Sequence, residues 1–243
     1  MASTYSTDIS LEKITTGEKA GLWGTITNTN LEILEQSASG YIAVDMAGSN
    51  VTLSLTDGAT SNGKNLYFKL TGTLSGDRTL TMPATTTGGT ATRVFVVEDA
   101  TTRGTSNRTL SVLTAGSSSS VAIPTGGKAL LYSDGTDTKL SILQKGYNSI
   151  SDSNAPYLAV AGDQLICSTN TNPFTVNLPA SPGVGDEVTF IDGLATFSSN
   201  NLTINPNGSN LNSSTSNLVL NTAGQAITLV YINATRGWTY KNT

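Results

Sequence analysis

From Tyr41 to the C-terminus, apolar and polar residues alternate with a period of two. Arg78-Thr79-Leu80-Thr81-Met82, Phe174-Thr175-Val176-Asn177-Leu178 and Leu202-Thr203-Ile204 each put aliphatic or aromatic side chains on one face and hydroxyls or amides on the other, the pattern of a half-buried strand. Turn dipeptides separate these runs at roughly ten-residue spacing, among them Asp57-Gly58, Asn62-Gly63, Gly76-Asp77, Asp134-Gly135, Asp192-Gly193 and Asn207-Gly208. Two runs, Val94-Phe95-Val96-Val97 and Ile227-Thr228-Leu229-Val230-Tyr231-Ile232, are apolar on both faces. Such strands are covered on both sides, by a facing sheet or by another copy of the chain. Regular short strands of this kind predict sandwiches.

One stretch breaks the pattern. Ile14–Tyr41 opens on Gly21-Leu22-Trp23-Gly24 and then runs from Thr25 to Ser37 without Gly or Pro. Ile26, Leu31, Ile33 and Leu34 are its apolar positions, which predicts one amphipathic helix of about three turns. Thr25 or Thr27 is placed to cap it, while Glu32 and Glu35 fall in its later turns, where the helix dipole disfavours acids. Its stability therefore has to come from packing. Ahead of it, Ile9 and Leu11 alternate as in a lone strand, which must pair with an edge of its own sheet or a neighbour's.

The β region reads twice. Arg78-Thr79-Leu80-Thr81-Met82-Pro83-Ala84 matches Phe174-Thr175-Val176-Asn177-Leu178-Pro179-Ala180, and Thr92–Asp99 matches Asp186–Gly193. Ser106–Val112 then matches Ser199–Ile204, Gly116-Ser117 matches Gly208-Ser209, and Thr125–Tyr132 matches Thr222–Tyr231. Five landmarks in one order predict an internal duplication. The expected organisation is an arm with a short helix over 1–39, a first β-domain over 40–145, a linker over 146–154 and a duplicate β-domain over 155–243. The fold class is mainly β: two tandem similar β-sandwich (jelly-roll-like) domains behind a strand/helix arm.

Composition narrows the chemistry. The sequence holds 39 Thr, 28 Ser and 21 Asn, but charged residues make up only 12%, so the expected surface is one of hydroxyls and amides. A formal charge of −4 offers no basic stripe for nucleic acid. The absence of histidine removes Ser-His-Asp and Cys-His catalysis and His-ligated zinc together. Cys167 sits in an alternating apolar run, and the expected state is a buried strand thiol. No leader pattern opens the sequence and no apolar run approaches the ~18 residues of a membrane helix, so the expectation is a soluble chain without membrane insertion.

Gly21-Leu22-Trp23-Gly24-Thr25-Ile26-Thr27-Asn28-Thr29-Asn30-Leu31-Glu32 resembles the N-terminal segment of tail-fibre-like and virion structural proteins of marine and cyanobacterial tailed bacteriophages. There the pattern is Gly, any residue, Trp-Gly, an Asn-containing helix, a Gly and a Thr-rich β-domain. Val160-Ala161-Gly162-Asp163, Leu178-Pro179-Ala180-Ser181-Pro182, Gly185-Asp186-Glu187-Val188 and Asn233-Ala234-Thr235-Arg236-Gly237-Trp238 are similar to β-modules of the same proteins. The resemblance implies a non-enzymatic virion component, made in a bacterial cytoplasm, homotrimeric, and attached to other tail or capsid proteins. A fibre-like tail appendage touching host surface glycan is the first expectation, and a capsid-decorating protein is the alternative. A carbohydrate-binding module or glycan depolymerase is a third.

The candidate residues follow from these readings. Trp23, Ile26, Leu31 and Leu34 are expected to pack on a sister subunit or partner, because no core precedes Gly40 in the sequence. Tyr157, Trp238 and Tyr240 are placed to stack on sugar rings, against the plainer role of core plugs. Asp186 and Glu187, with Asp192, and Glu98-Asp99 form carboxylate pairs of the kind glycoside hydrolysis uses. Adjacent strand residues point to opposite faces, however, which keeps two such acids from one bond. No loop, Asp163 included, shows dense Ca²⁺-type carboxylate spacing, and neither a catalytic residue, a metal nor a cofactor is assigned.

Overall fold

The computed structural model describes residues 3–103 and 108–241. Ser106 and Asn107, which open the third landmark of the duplication, lie outside them. The arm is a small hairpin of β1 (Thr4–Tyr5) and β2 (Glu12–Lys13), followed by α1 (Trp23–Ser39). The first unit comprises β3 (Tyr41–Asp45), β4 (Val51–Thr52), β5 (Tyr67–Thr71), β6 (Arg78–Met82), the short ribbon β7 (Thr85–Thr86) and β8 (Gly89–Thr90), β9 (Arg93–Asp99), β10 (Leu110–Thr114), β11 (Val121–Ala122), β12 (Lys128–Ser133) and β13 (Thr138–Gln144). The second comprises β14 (Tyr147–Ser151), β15 (Tyr157–Leu158), β16 (Gln164–Ser168), β17 (Phe174–Asn177), β18 (Glu187–Asp192), β19 (Leu202–Asn205), β20 (Leu218–Leu220), β21 (Ala226–Asn233) and β22 (Gly237–Tyr240).

Each unit is a mainly β sandwich of a five-stranded and a four-stranded sheet. The orders are β3-β5-β9-β12-β13 over β4-β6-β10-β11, and β14-β16-β18-β21-β22 over β15-β17-β19-β20. The two are wound identically. The chain crosses to the other sheet with each successive strand, so the first three strands of every sheet run parallel. Antiparallel strands then close the sandwich: β11, β12 and β13 in one unit, and β20, β21 and β22 in the other. The sandwich matches the expectation, while the parallel winding is a detail that strand periodicity does not encode. Each unit has its own core, built around Phe68, Leu80 and Phe95 in the first and Val176, Phe190 and Trp238 in the second.

The expected linker is not a linker. Tyr147–Ser151 pairs with β16 along its whole length, leaving only Lys145 and Gly146 between the units. The landmark alignment also slips by one residue at Thr92–Asp99. Phe95 and Val97 face inward, as Val188 and Phe190 do, so Asp99 corresponds to Asp192 rather than to Gly193. A one-residue slip exchanges the faces of a strand, and a run apolar on both faces gives no signal to prevent it. With the register set, the two aspartates perform one task. The Gly126 N–H donates to Asp99 and the Gly224 N–H to Asp192, with φ of 69° and 73° at the two glycines. That left-handed conformation favours Gly.

The arm folds back on its own unit. Asp8 accepts from the backbone and hydroxyl of Thr92, Ser10 donates to Asp57, and the Thr86 hydroxyl donates to the Thr7 carbonyl. The expected lone strand at Ile9–Leu11 is therefore a turn, and its strand, Glu12–Lys13, pairs inside the arm.

Candidate functional site

α1 begins at Trp23, two residues earlier than the spacing predicts, with Leu22 at its N-cap and no side-chain cap. Thr25 and Thr27 lie inside it, so neither caps it. Two contacts hold the helix instead. Asn30 presents its amide to Glu12 as a strand neighbour would, accepting from Glu12 N at 3.0 Å and donating to Glu12 O at 2.8 Å. This is a task for a side chain that carries both a donor and an acceptor. Gln36 makes the second contact through the Ser61 backbone, and Ile33 is fully buried.

Successive helical residues are turned by about 100°, which separates the apolar positions into two stripes. Ile33 and half-buried Ile26 share the inward side. Trp23, Leu31 and Leu34 lie on a neighbouring stripe that faces outward, 64%, 58% and 45% exposed. Leu22 before the helix and Tyr41 after it are exposed as well. Three of the four residues expected at an interface are thus open to a partner, and Ile26 belongs largely to the packing under the helix.

The sugar-stacking expectation is corrected. Trp238 is wholly buried in the second core, where its ring meets Tyr231 edge-on with centroids 5.7 Å apart. Tyr157 is buried, its hydroxyl accepting from Asn148 at 2.9 Å, and half-buried Tyr240 packs on the same core. None of the three offers a flat open ring, because β15 turns Tyr157, and β22 turns Trp238 and Tyr240, toward the core.

The acids have structural partners. Glu187 holds Lys145 at 2.9 Å and Lys241 at 2.6 Å, and Asp186 accepts from Gly183 N in a turn. Asp192 is desolvated, but backbone N–H groups of Phe197, Thr196 and Gly224 outweigh that and hold its carboxyl below the usual range. Glu98 accepts from the Tyr67 hydroxyl. Cys167 is fully buried, and burial raises its thiol pKa to about 12. Among the described residues no cluster of three or more acids, His or Cys could hold a metal, and no helix is long and apolar enough to cross a membrane.

A buried polar network at the seam between units was not foreseen. From the first unit, Arg103 pairs with Asp99 and donates to Ile123 O and Thr125 Oγ1. From the second, Asp163 accepts from Val160 N at 3.0 Å and from the Tyr157 hydroxyl at 3.3 Å. Burial pushes the Asp163 carboxyl up to about 6, against the pull of these hydrogen bonds and the Arg103 charge. The seam is also backbone-close: a Cβ on Gly146 would lie 2.3 Å from Gly126 O, and one on Gly162 would lie 2.8 Å from Pro124 Cγ. Beside it opens a cleft of ≈ 1020 Å³ whose lining includes Val121, Leu143, Leu158, Arg108, Lys145 and Asp186. In sequence Asp163, Gly126, Gly146 and Gly162 read as ordinary turn residues, so no local pattern pointed to this network.

No family model and no curated protein matches this sequence. Among solved structures the chain is similar to one in a chaperone-substrate complex, at 14% identity and a TM-score of 0.36, over 83% of this chain and 36% of that one. A likeness of that size assigns neither fold nor function.

Proposed function

We propose that this is a non-enzymatic structural protein of a tailed-phage virion, a fibre-like tail appendage that assembles as a homotrimer through its N-terminal arm and carries two copies of one sandwich outward. The observation that carries the reading is the outward stripe of Trp23, Leu31 and Leu34 on a helix held by buried Ile33 and by the Asn30 contact to Glu12. A folded helix that leaves a tryptophan and two leucines in water is built to be covered. The sequence resemblance of Gly21–Glu32 supplies the particle. The hydroxyl- and amide-rich payload suits a component that works outside cells, and its distal loops are the part placed to meet host glycan.

Localisation by labelling within purified particles tests this proposal, with copy number as an independent check. Tens of copies or fewer at the tail support it, whereas hundreds of copies on the capsid would favour the head-decoration alternative. Trp23→Ala is expected to remain folded but to be lost from particles. Retention of full incorporation by that variant would remove the arm from the assembly role, and release of reducing sugar from host polysaccharide would replace the structural reading with a depolymerase.

A further inference from the structure

The duplication supplies an internal control for the outer face of each five-stranded sheet. In the first unit the register lines up Tyr41, Tyr67, Val96, Leu130 and Ile142 as one row across all five strands. All five point away from the core. Tyr41 and Ile142 are 59% and 64% exposed, and the Tyr41 and Tyr67 rings stack at 5.8 Å. The same row in the second unit is Tyr147, Gln164, Thr189 and Thr228, with Lys241 bonded to the Thr228 carbonyl at its end. There the Thr189 and Thr228 hydroxyls bond to each other at 2.9 Å. One scaffold therefore folds with either row, so the apolar version in the first unit is not required by the fold. A continuous apolar row in water, present in one copy and replaced in the other, marks a surface that is covered in use.

The chain also carries what fits it. The adjoining row on the same face is Lys69, Glu98 and Lys128, net positive. α1 has Glu32 and Glu35 and no basic residue, with Glu35 next to the Trp23–Leu31–Leu34 stripe at about 100° per residue. Each surface is apolar at its centre and the two carry opposite charge at their margins, which favours pairing each with the other over pairing either with itself. We infer that the outward stripe of α1 in one copy docks on the Tyr41–Ile142 row of a second copy. This deepens the assembly role proposed above and rests on α1 being the assembly element. The contact is heterologous: every protomer offers one helix and one sheet face, and such contacts close into a ring when the rotation permits.

The test uses the full chain and follows its mass by light scattering and sedimentation across protein concentration. Val96→Thr/Leu130→Thr/Ile142→Lys installs the residues the second unit already uses, and the single variant Ile142→Lys changes only an exposed side chain. Circular dichroism and melting are expected to be unchanged, with self-association at least about tenfold weaker. Leu34→Asp is expected to be equally weak. Mixing Leu34→Asp with Ile142→Lys is then expected to give a heterodimer, because one intact helix and one intact face remain. Glu35→Lys is expected to weaken assembly, and Lys128→Glu in the same chain to restore it. Undiminished assembly of the folded triple variant, or a mixture that stays monomeric, would overturn the inference. If the face variants assemble normally while Trp23→Ala fails to enter particles, the helix-to-face contact is wrong and the arm keeps its role with another partner.

Discussion

Asp163 should make the second unit more stable at pH 5 than at pH 7, which reverses the usual behaviour of a carboxylate. It is 2% exposed, and its pKa is raised from 3.8 to about 6 in the folded protein. Since the folded state binds this proton more tightly than the unfolded chain, the group's contribution is complete below pH 3.8 and is lost as pH rises through 6. That difference corresponds to about 3 kcal/mol at neutral pH, of which roughly 1 kcal/mol returns between pH 7 and pH 5. That window is unusually clean because the chain has no histidine. Carboxylates held low, such as Glu12, Asp57 and Glu187, lose their contribution only as pH falls below their unfolded range. Asp163→Asn keeps an oxygen for Val160 N–H and the Tyr157 hydroxyl but carries no charge, so urea unfolding of the variant is expected to be flat over the same window. Parallel pH profiles for wild type and Asp163→Asn would refute the reasoning.

Other perturbations follow from the same contacts. Arg103→Ala leaves Asp99 buried without its cation and is expected to destabilise the first unit by about 3–5 kcal/mol in denaturant titration. Gly237→Ala places a Cβ 1.8 Å from Asn210 O at a φ of 73°; it is expected to lower the melting temperature of the second unit sharply, while Gly224→Ala, which meets nothing within 4 Å, costs less. Cys167 is expected to resist thiol reagents in the native protein and to react on unfolding, which a time course with and without urea measures directly.

Much of the architecture is legible in the residues themselves. Period-two runs located the strands, and paired Pro-Ala endings exposed the duplication, because both are written in residue order. What stayed hidden depends on neighbours far away in sequence. Parallel winding is set by which strand lies beside which, and Tyr147–Ser151 reads as a polar joint until β16 is placed next to it. Tyr157 and Trp238 have the same side chains whether they line a sugar groove or plug a core, and only which face of β15 and of β22 meets the core decides between them. Trp23, Leu31 and Leu34 are exposed because one apolar side, supplied by Ile33 with Ile26, is enough to pack the helix, a division that the list of apolar positions alone did not make. The Tyr41–Ile142 row was not legible either, since its members lie on five strands spread over about a hundred residues and meet only through the register.

The seam between the sandwiches has a mechanical consequence. Two residues, Lys145 and Gly146, separate β13 from β14, and an extended chain of that length reaches only about 7 Å. With Gly146 against Gly126, Gly162 against Pro124 and Lys145 tied to Glu187, the joint has no slack in which to bend. Changing the angle between the two sandwiches therefore means breaking these contacts rather than flexing a linker.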